Sequence, residues 1–144
     1  MTRSRRPLSS WLAVAVGIWC FGLGFYFAFL RPPLLPEDPR YIGVAQQTLV
    51  AAAPGLLGWL NKVFTVLGGF MAGAGVLMVH FGWWSLPRRL PGAAVALALS
   101  GALTVGTMSA VNFALASDFR WVLVAPVLAW IASLATYIRE GNGG

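Results

Sequence analysis

Between Trp11 and Leu30 the chain runs for 20 residues without a charged side chain, WLAVAVGIWCFGLGFYFAFL. As an α-helix at about 1.5 Å per residue this segment is roughly 30 Å long, the thickness of the hydrocarbon core of a bilayer. A helix that is apolar on every side belongs either in the core of a large protein or in lipid. A chain of 144 residues is too short to build a large core around several such helices. Arg3, Arg5 and Arg6 precede the run, and Arg31-Pro32-Pro33 ends it. A secretory signal peptide also starts with basic residues, but its apolar region spans only about 7–15 residues and closes on a small-residue cleavage site. The segment is therefore read as an uncleaved first span.

Three further runs follow, at about Leu57 to Phe81, Gly92 to Leu115 and Trp121 to Ile138. The fold class expected is an all-α membrane protein, an antiparallel bundle of four transmembrane helices forming one membrane domain over residues 1–144. Composition agrees, with 58% hydrophobic residues and 10% charged ones, against about 25% charged in soluble domains. The net charge of +6 then reads as membrane topology, and no nucleic-acid partner is expected. Cys20 is the only cysteine, which excludes an intramolecular disulfide and a CxxC pair; in an apolar run it is a small buried hydrophobe.

The outer loop, residues 31–56, opens with RPPLLPEDPRY, whose four prolines bar a helix interior and make a stiff exit from the bilayer. Asp38-Pro39 reads as an N-cap and first helical position, starting a short extra helix to about Ala53 with Ile42, Ala45, Leu49 and Ala52 along one side. Pro54-Gly55 ends it. Trp59 and Trp83-Trp84 flank the second span as interfacial aromatics. The five-residue link Ala116 to Arg120 makes the third and fourth spans antiparallel neighbours. Pro126 falls near the start of the fourth, where a membrane helix tolerates it, and Arg139-Glu140 begins a frayed tail.

An even number of spans puts both termini on one side. That side then holds Arg3, Arg5, Arg6, Arg88, Arg89 and Arg139, and the other holds Arg31, Arg40, Lys62 and Arg120. The excess favours cytoplasmic termini under the positive-inside rule, in a bacterial inner membrane.

Helices in lipid associate through small residues that let backbones approach. Ala94, Ala98, Ala102, Gly106, Ala110 and Ala114 recur at every fourth position of the third span and are expected to form its packing groove. Gly69 and Gly73 stand at GxxxG spacing on the second, beside Gly68, Ala72 and Gly75. Cys20, Gly24 and Ala28 mark the first, and Ala125, Ala129 and Ser133 the fourth. Intramolecular packing is the simpler use of these motifs; a homo-oligomer or a membrane-protein partner is the other.

No Asp or Glu lies inside an expected span, which counts against a carrier that uses a membrane carboxylate as its proton site, such as a small multidrug-type exporter. Lys62 and His80 stand 18 residues apart, five helical turns, at opposite ends of the second span. The simpler reading has Lys62 snorkelling and His80 hydrogen-bonding at the interface; as a haem or metal ligand, a lone histidine would need a second chain or another axial partner. The one polar concentration is on the outer side, where Arg31, Glu37, Asp38, Arg40, Asn61, Lys62, Asn112, Asp118 and Arg120 fall at similar depth. It is either an ion-paired lid, each exposed pair contributing only about 0–1 kcal/mol, or a site for a headgroup, a small anion or a partner. No Ser-His-Asp set shares a depth, no phosphate loop with Lys-Ser/Thr occurs, and one histidine excludes multi-histidine zinc. Catalytic residues, cofactor and metal are thus all expected to be none.

The segments RPPLLPEDPRYIG and GWLNKVFTVLGGFMAGAGVL resemble uncharacterised small four-span bacterial membrane proteins with a proline-rich first loop and a glycine-rich second helix. The resemblance implies the four-helix fold and an inner-membrane location, and carries over no catalytic residue. The function expected is non-enzymatic binding of a partner or of membrane lipids. An oligomeric small-solute carrier or channel subunit is the second reading, and would need a water-filled path lined by Thr65, Thr104, Thr107 and Asn112. A lipid-modifying enzyme is third, and would need paired polar groups near Lys62 and Asp118 in one pocket.

Overall fold

The structure, a computed structural model, describes residues 6–142. Among the described residues it is all helical: α1 Leu8–Leu30, α2 Glu37–Ile42, α3 Gln46–Ala52, α4 Leu56–Ser85, α5 Ala93–Ala114 and α6 Val124–Asn142. α1, α4 and α5 are each long and apolar enough to cross a membrane. The expected arginines Arg3 and Arg5 lie outside the described residues.

The long helices alternate in direction, with α1 at the centre, packed on α4 along one side and on α6 along another. Side chains large enough to fill a core point outward instead: Phe70 and Leu103 are each 75% exposed, and Phe29, Trp59 and Trp121 lie on the outside as well. Many of the buried residues are small or polar, among them Ala13, Cys20, Ser9, Ser109 and Ser133, beside a few large apolar ones, Met78, Leu86, Leu97 and Leu123. This distribution is the reverse of a soluble domain's, in which large apolar side chains fill the interior.

The α1/α4 contact is made backbone to backbone. A Cβ at Gly17 would lie 2.8 Å from the Gly75 carbonyl oxygen, one at Gly24 2.6 Å from that of Gly68, one at Gly68 2.5 Å from the Ala28 nitrogen, and one at Gly75 2.6 Å from the Gly17 carbonyl oxygen. The working motif is thus Gly17, Gly24 and Ala28 against Gly68, Ala72 and Gly75. The Gly69/Gly73 pair, expected from its spacing to pack, instead looks outward onto open space. Gly69 and Gly73 follow Gly68 and Ala72 by one position, which turns them about 100° around α4 and off the contact line.

α5 departs from expectation in the same way. Its core-facing line is Ala93, Leu97, Gly101, Val105 and Ser109, one position before the expected Ala94 to Ala114 groove, of which Ala102, Ala110 and Ala114 are exposed. The cause is Trp130 of α6, whose indole occupies the notch at Gly101 and donates from Nε1 to the Leu97 carbonyl oxygen at 3.0 Å. α1 ends in a π-helical turn, with the Arg31 amide donating to Tyr26 O at 2.8 Å. α4 likewise ends in such a turn, Phe81–Ser85, and α5 carries one in its middle, Ala102–Gly106.

At the end where the chain termini meet, the stretch after Ile138, expected to fray, continues as helix to Asn142 and is tied down. Glu140 accepts from the Ser9 amide at 3.2 Å and the Ser9 hydroxyl at 2.5 Å, and Ser133 donates to Ser9 O at 2.7 Å. A carboxylate from α6 therefore caps the N-terminus of α1, where unpaired amides and the helix dipole favour negative charge. Arg6 donates to Trp83 O at 2.6 Å and stacks on the Trp83 ring, while Arg89 donates to Tyr137 O at 3.1 Å. Replacing Glu140 with alanine is expected to destabilise the bundle by about 1–2 kcal/mol, the usual loss of a good N-cap, and Glu140→Gln by less. Thermal unfolding in detergent checks this.

In the loop, the single helix expected from Pro39 to Ala53 is two helices, broken at Gly43, whose φ of +77° suits glycine. Asp38 is not the N-cap: α2 begins at Glu37, and Asp38 reaches back to accept the Leu35 amide at 2.7 Å. The break puts Ile42 in α2 and Leu49 and Ala52 in α3, so the four residues expected along one side do not share one helix. At the start of α6 the helix begins at Val124 rather than Trp121, because Trp121 to Leu123 turn. Pro126 thereby falls in the first turn, where its missing N–H is not needed.

Candidate functional site

α4 and α5 diverge, and between them and α1 lies a cavity of about 640 Å³. Trp19, Cys20, Leu23 and Phe27 line it from α1, Phe64, Leu67, Phe70, Met71 and Ala74 from α4, and one face of α5 between Leu103 and Leu115. The walls are almost entirely apolar. Leu67 and Phe70 on one side and Leu103, Thr107 and Val111 on the other both line the cavity and are exposed on the protein's flank. The mouth therefore opens sideways, between α4 and α5. The termini half of the bundle is closed by the packed cluster of Val16, Met78, Leu86, Ala93 and Leu97, with Trp130 against it.

The opposite end of the cavity is polar. The first proline-rich turn folds back over it and brings Arg31, Glu37 and Asp38 to the lining, opposite Asn112. The Arg31 side chain is 7% exposed. Its guanidinium stacks 3.7 Å over the Phe64 ring and 5.4 Å from that of Phe27. Nη1 donates to Pro32 O at 2.8 Å and Pro33 O at 3.3 Å, and Nη2 meets Asp38 Oδ2 at 3.4 Å. Pro36, four residues past Pro32, has no amide hydrogen to donate to the Pro32 carbonyl, and no backbone amide takes that of Pro33, so both carbonyls are free to hold the cation.

Glu37 is 3% exposed. Ser117, in the link before α6, donates to its Oε1 at 2.8 Å across 80 residues of chain. Glu37 Oε2 and Arg31 Nε have no hydrogen-bond partner, although water reaches neither. Leaving a buried polar atom unpaired costs about 1–3 kcal/mol, more if charged, so two orphans bordering one cavity mark a built site.

Four of the nine residues of the expected outer cluster thus meet at the cavity: Arg31, Glu37, Asp38 and Asn112. The other five do not line it. Arg40 pairs with Asp118 at 3.6 Å on the surface, Arg120 donates to Ser117 O at 3.1 Å, and Asn61 and Lys62 are exposed on α4. Azimuth separates Asn61 and Lys62 from Phe64, which they precede on a different face of α4. His80 is exposed, tilted against Trp84 at 6.5 Å, and no group of three His, Cys, Asp or Glu that could hold a metal occurs among the described residues. Ser117 was not anticipated; a serine in a five-residue link carries no signal by itself. The buried carboxylate was also unforeseen as such, because Glu37 sits outside every apolar run.

No protein-family model, curated protein or solved structure matches this chain significantly, so its own geometry carries the functional argument.

Proposed function

We propose that the chain is an integral membrane protein of four antiparallel spans, α6 being the fourth, which binds an amphiphile from the bilayer in the α1/α4/α5 cavity. The observation that carries this reading is the combination of an apolar mouth on the lipid-facing flank with a polar end built from Arg31 and Glu37. A tail enters laterally where walls and lipid are equally apolar, and a headgroup meets the buried charges of Arg31 and Glu37. Pockets of this kind, apolar with a few convergent polar groups, are the usual form of small-molecule sites, and about 640 Å³ falls within their common range of roughly 300–1,000 Å³.

The carrier reading gains no support. Thr104 and Thr107 return their hydroxyls to Ser100 O at 2.6 Å and Ala102 O at 3.0 Å, Asn112 donates to Met108 O at 2.9 Å, and Thr65 lies outside the cavity. The three hydroxyls are turned onto main-chain carbonyls, and Thr104, Thr107 and Asn112 stand in a wall that is otherwise apolar. Neither Lys62 nor Asp118, which an enzyme acting on lipid would need together, lines the cavity.

Native mass spectrometry from mild detergent tests the binding role. The wild type is expected to carry a non-covalent amphiphile, and Thr104→Trp combined with Ala74→Phe, which places rings in the cavity from facing walls, is expected to lose it while remaining folded. Equal occupancy in both proteins would sink the reading. Both termini are assigned to the cytoplasm of a bacterial inner membrane, with Arg6, Arg88, Arg89 and Arg139 at that end. A phosphatase fused after Gly144 is then inactive and a cytoplasmic reporter active there; the reverse pattern would invert the topology.

A further inference from the structure

On the reading of the cavity as an amphiphile site, on which this rests, we propose that the outer half of α5, Thr107–Ala114, is a movable wall of that cavity. It is hinged at the π-helical turn Ala102–Gly106 and latched by the Glu37–Ser117 hydrogen bond.

The two halves of α5 are held in different ways. Ala93 and Leu97 of the inner half belong to the buried cluster, and Trp130 locks that half to α6 through the notch at Gly101 and the Leu97 carbonyl. Past the turn no long helix packs along Thr107–Ala114, and the cavity separates it from α1 and α4. The hinge lies where the halves meet. π-Helical turns inside α-helices are where kinks and functional hinges are found. Here the Thr107 amide and the Thr107 hydroxyl both donate to Ala102 O. Bending that draws the amide away leaves the carbonyl satisfied by the hydroxyl, the usual role of Thr at breaks in membrane helices.

At its far end the outer half is tied to the proline-rich strap Arg31–Ile42. Ser117 donates to Glu37 Oε1 at 2.8 Å, and Arg40 meets Asp118 at 3.6 Å. Among the described residues these are the only side-chain hydrogen bond and ion pair joining the strap to the link after α5. Solvent screens the exposed pair, so the buried bond is the one that holds. That bond is also poised to break. A carboxylate offers about four lone-pair sites, and buried Glu37 fills one of them, with Oε2 unpaired. Leaving the interior returns both oxygens to water, which offsets much of what the bond to Ser117 contributes. Latched and released states then lie close in free energy, as a switch requires. With Glu37 released, a swing of the outer half away from α4 widens the mouth between Leu67 and Phe70 on one side and Thr107 and Val111 on the other.

Cys20, the only cysteine of the chain, lines the cavity and is 4% exposed, so its alkylation by N-ethylmaleimide reports access. In the full chain in phosphatidylcholine nanodiscs, Ser117→Ala is expected to raise that rate about tenfold, the effect of losing one hydrogen bond to a charged group. Arg40→Ala is expected to change it by less than about twofold. Spin-label pairs at exposed positions, in a Cys20→Ala background, locate the motion. Ser117→Ala is expected to lengthen the distance from Val66 to Ala110 and to leave that from Leu77 to Leu99, on the inner side of the hinge, unchanged. An unchanged alkylation rate would overturn the latch. Lengthening of both pairs would mean general loosening, and lengthening of neither that the strap lifts alone; either overturns the hinge. Should Ser117→Ala not fold, the wild type decides: its outer pair is expected to show the broader distance distribution, and equal widths overturn the gate. Neither readout needs a bound amphiphile. A rigid α5 with an amphiphile in the mass spectrum would therefore remove the gate and keep the site, and a moving α5 with none bound would remove the site and keep the motion.

Discussion

Gly24→Ile and Gly75→Ile are each expected to prevent stable assembly of the bundle, while Gly69→Ile and Gly73→Ile leave it within about 0.5 kcal/mol of wild type. The first pair sits where α1 and α4 touch backbone to backbone: a Cβ at Gly24 would press into Gly68 O at 2.6 Å, and one at Gly75 into Gly17 O at 2.6 Å. The obstacle in both cases is main chain, which cannot rotate aside as a side-chain tip could, so the helices must separate. Overpacking typically costs about 1–3 kcal/mol. Here a branched side chain also removes the close approach along most of α1, so each substitution should cost about 3 kcal/mol or more. Gly69 and Gly73 meet nothing within 4 Å, so a branched side chain there displaces no neighbour. Denaturant titration in mixed micelles measures the contrast, and equal effects at the four positions would show that α1 and α4 do not pack through Gly24 and Gly75.

The second large effect concerns the two ion pairs of the loop. Arg31→Ala is expected to destabilise the loop end by about 3 kcal/mol, the low end of the cost of breaking a buried pair. It strips the Pro32 and Pro33 carbonyls of their donor, uncovers Phe64 and leaves Asp38 with only the Leu35 amide. Arg40→Ala removes the pair to Asp118, but those side chains are 58% and 68% exposed, and solvent screening limits such a pair to about 0–1 kcal/mol. Limited proteolysis between α1 and α4 reads the difference: rapid cleavage for Arg31→Ala, wild-type rates for Arg40→Ala. Comparable protection in both would mean that the prolines alone hold the loop.

Both predictions turn on details that a linear reading of the chain only half reveals. The outer polar residues were legible as a group, because helix rise converts sequence position into depth, and all nine were placed at one level. Depth does not give azimuth. Asn112 turns toward the cavity while Lys62 turns away, and only the arrangement of α1, α4 and α5 decides which way is in. Asp38 and Glu37 are adjacent, yet one closes a local turn and the other reaches Ser117 80 residues on. No local pattern distinguishes these roles, since the partner arrives with the start of α6. Glu140 is similar: at the end of an apolar run it reads as solvated tail, and its role as a cap exists only because α6 runs antiparallel to α1.

The sequence by itself determined that this chain is helical, where its long apolar helices lie to within a few residues, and that small residues would carry their contacts. Those properties follow from hydropathy, helix rise and proline chemistry, which act over short stretches of chain. Tertiary structure alone decided which glycines touch, which face of α5 is buried, and that α4 and α5 part to leave a cavity ending on Arg31 and Glu37. These depend on helix rotation and crossing, and Trp130 filling the notch at Gly101 sets that rotation through a contact between residues 29 positions apart in the chain.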